Sequence, residues 1–230
     1  MQIAIICGGL ATRLKDLAKK TPKSMMKING KPFLEYQIEM LKKQNIKDIV
    51  LCVGHLSEKI IEYFEDGKSF GVNIEYSYDG NKKLGPMGAI KNAEKLLEKE
   101  FFIMYGDSFI FVNFQKVYDF YKKNNKLGCM VVYKNKDLFD KSNLAVENNM
   151  VLDIKNLIKN KKLEYIDYGT SIFNKKSLDF IKDDAFCSTA TFFKKMIQEN
   201  ELLAYETNKR FYHIGTPEAL EEFRSFIKDK

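Results

Sequence analysis

Residues 2–7 read QIAIIC and run without a break into GGLATRLKDLAKKTPKSMMKING at residues 8–30. A short, β-rich apolar run with no polar alternation predicts a strand buried on both faces, as in a parallel sheet. The glycine-containing polar segment behind it predicts a loop leaving the strand's carboxyl end. Outward from this pair, strand and helix patterns repeat. Residues 32–44 (PFLEYQIEMLKKQ) carry Phe33, Tyr36, Ile38, Met40 and Leu41 close to helical spacing, and Pro32 suits a first helical turn. Residues 48–53 (DIVLCV) predict a second strand, and 57–65 (SEKIIEYFE) a second helix with Ser57 as its N-cap. Residues 72–76 alternate like a strand, 86–98 predict a third helix, and 101–105 (FFIMY) predict another buried strand. This order predicts an α/β fold with a Rossmann-like, doubly wound, mostly parallel sheet. Such sheets bind ligands beyond the carboxyl ends of their strands. The loop from Gly8, the turn at His55 and the Gly106-Asp107 pair fall there.

The second half is less regular. A helix is predicted at 114–123, strands at 127–133, 143–146, 150–154 and 163–173, and helices at 175–181, 188–199 and 216–228. Ser188 and Thr216 are predicted caps, and Pro217 fits a first helical turn. No repeat or linker divides the chain, so one domain is expected over 1–230, with a regular half at about 1–110 and a less regular half at about 111–230.

Composition narrows the function classes. The 230 residues are 45% hydrophobic and 30% charged, which excludes disorder, collagen and coiled coil. The net charge of +7 points to a polyanion or a phosphorylated substrate, but only Arg13, Arg210 and Arg224 are arginines. Scattered lysines without arginine pairs are a poor nucleic-acid face, so no nucleic-acid partner is expected. No apolar stretch approaches the roughly 20 residues of a spanning helix, and no signal-peptide pattern opens the chain. Neither a membrane nor export is expected. Cys7, Cys52, Cys129 and Cys187 are far apart, which suits reduced thiols in the cytoplasm.

The loop after the first strand carries the strongest chemical signal. Glycines let backbone N–H groups approach phosphate oxygens, and Arg13 and Lys23 bring two positive charges to the same segment. It is neither GxxxxGK[ST] nor GxGxxG. Asp107 follows a buried strand and Gly106. Its spacing alone serves equally a Mg²⁺ ligand or the opening of a Gly-Asp-Ser turn.

Taken together, GGLATRL, PKSM, INGKPFLEY, LGPMGAI (84–90), YGDS (105–108), YIDYGTSIF (165–173) and HIGTPEAL (213–220) resemble, in order, the sugar-1-phosphate nucleotidyltransferases. The likeness is strongest to the short bacterial mannose- or heptose-1-phosphate guanylyltransferases and covers nearly the whole chain. It implies the nucleotide-diphospho-sugar transferase fold. It also implies transfer of a nucleoside monophosphate from an NTP to a sugar 1-phosphate with loss of pyrophosphate. GTP with heptose or mannose 1-phosphate is the implied pair, feeding capsule or lipopolysaccharide assembly. The same reaction with CTP or UTP, and a non-catalytic nucleotide-sugar-binding protein, are the alternatives.

Residue by residue, the resemblance implies that Arg13 and Lys23 hold and activate the phosphates. Gly8, Gly9, Leu10 and Thr12 would meet the nucleotide through the loop. Asp107 would hold Mg²⁺, with Mn²⁺ as the softer alternative. LGPMGAI matches the base-recognition segment at Gly85 and Gly88, whereas Pro86 and Met87 depart from it. The bulk of Met87 is expected to narrow the nucleotide pocket. Tyr78 and Asp79 lie just upstream and are expected at the base or ribose. His213 stands where many relatives carry an acid that is a second metal ligand. It would contact phosphate, favour a softer metal, or leave the metal to Asp107. Lys155, Asp167 and Gly169 are expected at the sugar, and His55 at a packing or substrate edge. Phe- and Tyr-rich surfaces in the second half leave a homodimer open.

Overall fold

The computed structural model describes residues 1–8, 21–80, 83–158 and 161–228. In chain order the strands are β1 (Gln2–Ile6), β2 (Lys27–Ile28), β3 (Lys31–Pro32), β4 (Asp48–Val53), β5 (Asn73–Tyr78), β6 (Glu100–Tyr105) and β7 (Ser108–Phe109). They continue as β8 (Gly128–Tyr133), β9 (Leu144–Glu147), β10 (Met150–Ile154), β11 (Ile166–Asn174), β12 (Leu202–Thr207) and β13 (Tyr212–His213). The α-helices are α1 (Phe33–Lys43), α2 (Glu58–Phe64), α3 (Gly85–Asn92), α4 (Phe114–Asn124), α5 (Thr189–Gln198) and α6 (Pro217–Lys228).

Among the described residues, nine strands form one sheet in the order β5-β4-β1-β6-β11-β8-β12-β10-β9. The first four are parallel; β1, β4 and β6 are the near-continuous apolar runs of strands covered on both faces, whereas β5 alternates at the edge. β11 then enters antiparallel between β6 and β8, and β10 runs antiparallel to both its neighbours. Residues of β1 alternate between two cores. Ile3 and Ile5 join Leu34, Ile38, Phe64 and Val117 from α1, α2 and α4. Ala4 faces Met87, Ile90, Phe192 and Met196 from α3 and α5. The result is a three-layer α/β arrangement, as the sequence predicts.

A third cluster lies off the sheet. Met26, Ile28, Phe33, Phe109, Ile214, Leu220 and Phe223 pack together, joined by Tyr36, Phe111, Tyr212 and Phe226. It binds α6 to α1 and to the small β7–β13 ladder, in which His213 opposes Ser108. From the second half, Phe111, Tyr212, Phe223 and Phe226 are packed into this cluster.

Several sequence expectations need correction. The third helix ends at Asn92 and is followed by a 3₁₀ turn at Glu94–Leu96. The side chain of Gln2 explains the break: its Nε2 donates to Leu96 O at 2.9 Å and its Oε1 accepts from Glu98 N at 2.7 Å. Residues 175–180 are 3₁₀ rather than α-helical. Pro32 closes β3, one residue ahead of α1. Ser57 makes no side-chain capping bond, whereas Ser188 Oγ accepts from Thr191 N and Thr216 Oγ1 from Ala219 N. β12 was not expected at all.

Candidate active site

The strand ends converge as doubly wound topology demands. Cys7 N donates to Cys52 O at 2.8 Å, and Gly106 N donates to Ile6 O at 3.1 Å. These bonds tie the exits of β1, β4 and β6 together. Beside them lies an open cavity of about 480 Å³, lined by Cys7, Lys23, Pro86, Tyr105, Asp107 and Thr189 among others.

Lys23 begins a short 3₁₀ turn, Lys23–Met25, with Met25 and the following Met26 buried. Its Nζ lies 2.6 Å from Asp107 Oδ2, and Asp107 Oδ1 accepts from Ser108 Oγ at 3.2 Å. The turn carrying Asp107 is gripped from beneath by a residue that sequence reading passed over. Gln37 on α1 is fully buried, and its Nε2 donates to Tyr105 O at 2.9 Å and to Ser108 O at 2.7 Å. The only sequence signal was an amide at a core-facing helical position between Leu34 and Leu41. Burial pushes the Cys7 thiol up to about 12, so this cavity residue is no nucleophile at neutral pH.

The remaining expected residues fall into three groups. Arg13, Gly9, Leu10 and Thr12 lie outside the described residues; Gly8 follows β1 by two residues and lies against the turn at Gly54. Asp167 sits behind Tyr105. Its Oδ2 accepts from Tyr105 Oη at 2.6 Å and its Oδ1 from Gly169 N at 2.9 Å. Burial raises the pKa of Asp167, partly offset by these bonds and by Lys155. Burial and the neighbouring Asp167 hold the Tyr105 phenol well above its usual range. Asp167 thus braces the cavity wall with both oxygens engaged. Gly169 (φ +90°) lies in the bulge that shifts the β11–β8 register between Asp167 and Ser171. A Cβ there would stand 3.0 Å from Ser108 Cβ. Lys155 is exposed with φ +53°.

Met87 is a correction. Its side chain is fully buried in the core under α3 and does not narrow the cavity; Pro86 lines it instead. The amides of Met87 and Gly88 both donate to Cys187 O, at 3.0 and 3.3 Å, and Gly85 is covered by the same segment. His213 likewise departs from the metal-ligand expectation. Its Nδ1 accepts from Gly215 N at 3.0 Å, which leaves the proton on Nε2, 3.2 Å from Asp140 Oδ2. Neither nitrogen has a free lone pair in this arrangement. His55 is exposed.

Among the described residues there is no cluster of three or more His, Cys, Asp or Glu that would hold a metal alone. The donor set fits a different arrangement. One carboxylate in an open cavity beside a lysine suits Mg²⁺, which commonly binds through one or two carboxylates plus substrate phosphates.

Asp79, after β5, has its pKa raised to about 6 by burial. This lies above the 3.8 of an ordinary Asp, so the folded protein binds the proton more tightly than the unfolded chain. The associated stability is present below pH 3.8 and is lost as pH rises through about 6. Asp79→Asn is therefore expected to raise the ligand-free thermal midpoint at pH 7.5 while leaving it nearly unchanged at pH 4. Differential scanning fluorimetry at the two values checks this, and a lower midpoint at pH 7.5 would contradict it.

A cavity past the ends of parallel strands, holding a lysine–carboxylate pair, stands where doubly wound α/β proteins bind their ligands. The family model described as nucleotidyl transferase matches residues 3–230, and the chain belongs to that family. It is 35% identical to a D-glycero-α-D-manno-heptose 1-phosphate guanylyltransferase of Campylobacter jejuni, over 95% of this chain and 96% of that protein. It is 28% identical to a mannose-1-phosphate guanyltransferase of Candida glabrata, over 94% of this chain but 62% of the fungal one. The crystal structure of HddC from Yersinia pseudotuberculosis complexed with GMP-PN superposes with a TM-score of 0.83 at 26% identity. That match covers 98% of this chain and 99% of the other. The fold is thus that of the nucleotide-diphospho-sugar transferases.

Proposed function

We propose that this enzyme transfers GMP from GTP to a heptose 1-phosphate, releasing pyrophosphate and forming a GDP-heptose. The observation that carries this reading is the 35% identity to the Campylobacter heptose 1-phosphate guanylyltransferase along almost the full length of both chains. A phosphate oxygen of the sugar 1-phosphate attacks the α-phosphorus in line. The bond from that phosphorus to the α–β bridging oxygen breaks, and its electron pair leaves on pyrophosphate. The reaction needs positioning and charge neutralisation rather than a protein nucleophile, which agrees with the raised Cys7 thiol.

In this reading Lys23 neutralises phosphate oxygens at the cavity, and Arg13 joins it from the loop. Gly8, Gly9, Leu10 and Thr12 carry the triphosphate. Asp107 would hold Mg²⁺ together with the substrate phosphates, and the bound ion would supply charge neutralisation at the reacting phosphoryl group. His213, with both nitrogens engaged, orders the segment beside Lys23 instead of ligating. Asp167 keeps Tyr105 in place, and Gly169 lets the strand pass close to Ser108, beside Asp107. No described helix is long and apolar enough to cross a membrane, and four buried free thiols support a reducing compartment, the cytoplasm.

Pyrophosphate release tests the reading. Each NTP is incubated with Mg²⁺ and heptose, mannose or glucose 1-phosphate in turn. GTP with the heptose ester is expected to give the highest kcat/KM. Release that favours CTP or UTP, or none with any pair including in Mn²⁺, would overturn it.

A further inference from the structure

Both carboxylate oxygens of Asp107 are engaged in the free protein. Lys23 Nζ lies 2.6 Å from Oδ2, and Oδ1 accepts from Ser108 Oγ at 3.2 Å. The two partners differ in kind. Ser108 is the next residue along the chain, is buried and carries no charge. Lys23 is 84 residues away in sequence, at the start of its 3₁₀ turn, and reaches Asp107 with a positive charge. Its ammonium lies against bare main chain, since a Cβ on Gly215 would stand 3.6 Å from Nζ. The pair faces the open cavity and is partly exposed. The Asp107 turn does not depend on Lys23 for its form. Gln37 holds the carbonyls of Tyr105 and Ser108, and Ile214 N donates to Asp107 O at 2.9 Å. The ion pair can therefore open without the turn being rebuilt.

We propose that Lys23 masks the metal position of Asp107 until a phosphate group draws it away, so that the free protein binds divalent metal poorly and metal and nucleotide bind as a coupled set. The inference rests on the metal role of Asp107 proposed above and deepens it. A divalent ion on Asp107 Oδ2 would face the Lys23 ammonium across a single negative charge, and two cations so placed repel. Mg²⁺ also gives up its water reluctantly and commonly needs phosphate oxygens beside one or two carboxylates. A nucleoside triphosphate changes both conditions. Its phosphates offer the ammonium a more highly charged partner, which frees Oδ2, and they bring further oxygens to the ion. Coupling of this kind is reciprocal: the factor by which nucleotide tightens metal is the factor by which metal tightens nucleotide.

The test is Mn²⁺ binding without nucleotide, with free ion read by electron paramagnetic resonance. The native protein is compared with Lys23→Met, Asp107→Asn and the double variant. Methionine keeps an unbranched stem and removes the charge. Lys23→Met is expected to bind Mn²⁺ roughly 10-fold more tightly than the native protein, and the double variant to lose that gain. Calorimetric titration with GTP, in Mg²⁺ and in EDTA, gives the coupling factor itself. It is expected to be roughly 10-fold smaller in Lys23→Met than in the native protein. Thermal midpoints report that each variant folds. A native protein that binds Mn²⁺ as tightly as Lys23→Met would overturn the proposal. So would a gain that survives in the double variant, or an unchanged coupling factor. Mn²⁺ binding needs neither GTP nor turnover, so a protein that fails the pyrophosphate assay with GTP overturns the guanylyltransferase reading separately.

Discussion

Asp107→Asn is expected to lower kcat/KM for nucleotidyl transfer by roughly 1,000-fold, about 4 kcal/mol of transition-state stabilisation. The change keeps the side chain's shape and an oxygen for the Ser108 hydroxyl. It removes the negative charge that lies 2.6 Å from Lys23, and with it the one protein carboxylate proposed to help hold the metal against the phosphates. Stability should barely move. The pair is partly open to water, with 19% of Lys23 and 36% of Asp107 exposed, and such pairs contribute about 0–1 kcal/mol. The turn is held independently by Gln37 and by the bond from Ile214 N to Asp107 O. A large activity loss with an unchanged thermal midpoint is therefore the signature. Activity within threefold of native would refute the role of Asp107.

Phe223→Ala should have the largest effect on stability. Phe223 is fully buried, and its ring lies 5.0 Å from Phe33, 5.2 Å from Phe109 and 6.0 Å from Tyr36. Truncating a buried phenylalanine costs about 3–5 kcal/mol through lost burial and the cavity left behind. The loss should not stay local. Phe223 holds α6 against β7 and β13, the strands that follow Asp107 and carry His213. Urea unfolding is expected to show the unfolding free energy lowered by that amount, with the midpoint falling at an unchanged slope, and KM for the nucleotide should rise at temperatures where the native enzyme is unaffected. A loss under 1 kcal/mol would mean that the aromatic cluster is not what anchors the helix.

The parallel half of the fold was legible because β1, β4 and β6 are continuous apolar runs, β5 alternates as an edge strand does, and the intervening helices carry apolar stripes. QIAII and FFIMY can hardly be anything but buried strands. β12 was missed for the opposite reason. LLAYET has three apolar residues in a row directly behind a helix, and what makes it a strand is its six-residue parallel ladder with β8, a contact invisible to local pattern. The third helix was overrun because Ala93, Leu96 and Leu97 keep helical spacing, while the constraint that stops it comes from Gln2 at the other end of the chain segment. At the site, Lys23 and Asp107 were readable from their motifs, and the structure brings them into contact. Met87 was misread because only the resemblance put it in the pocket, whereas its side chain packs into the core beneath α3. Gln37 and Asp140 were invisible because their partners are backbone and a distant histidine.

Gln37 carries one more implication. Several groups around the cavity titrate or have displaced titrations: Asp79, Tyr105 and Asp167 among them. The frame that fixes the Asp107 turn does not, since it is built from an uncharged carboxamide and two main-chain carbonyls. Acid and alkali can therefore alter what the cavity holds while the turn that presents Asp107 keeps its form. The architecture separates the part of the site that senses protons from the part that sets its dimensions.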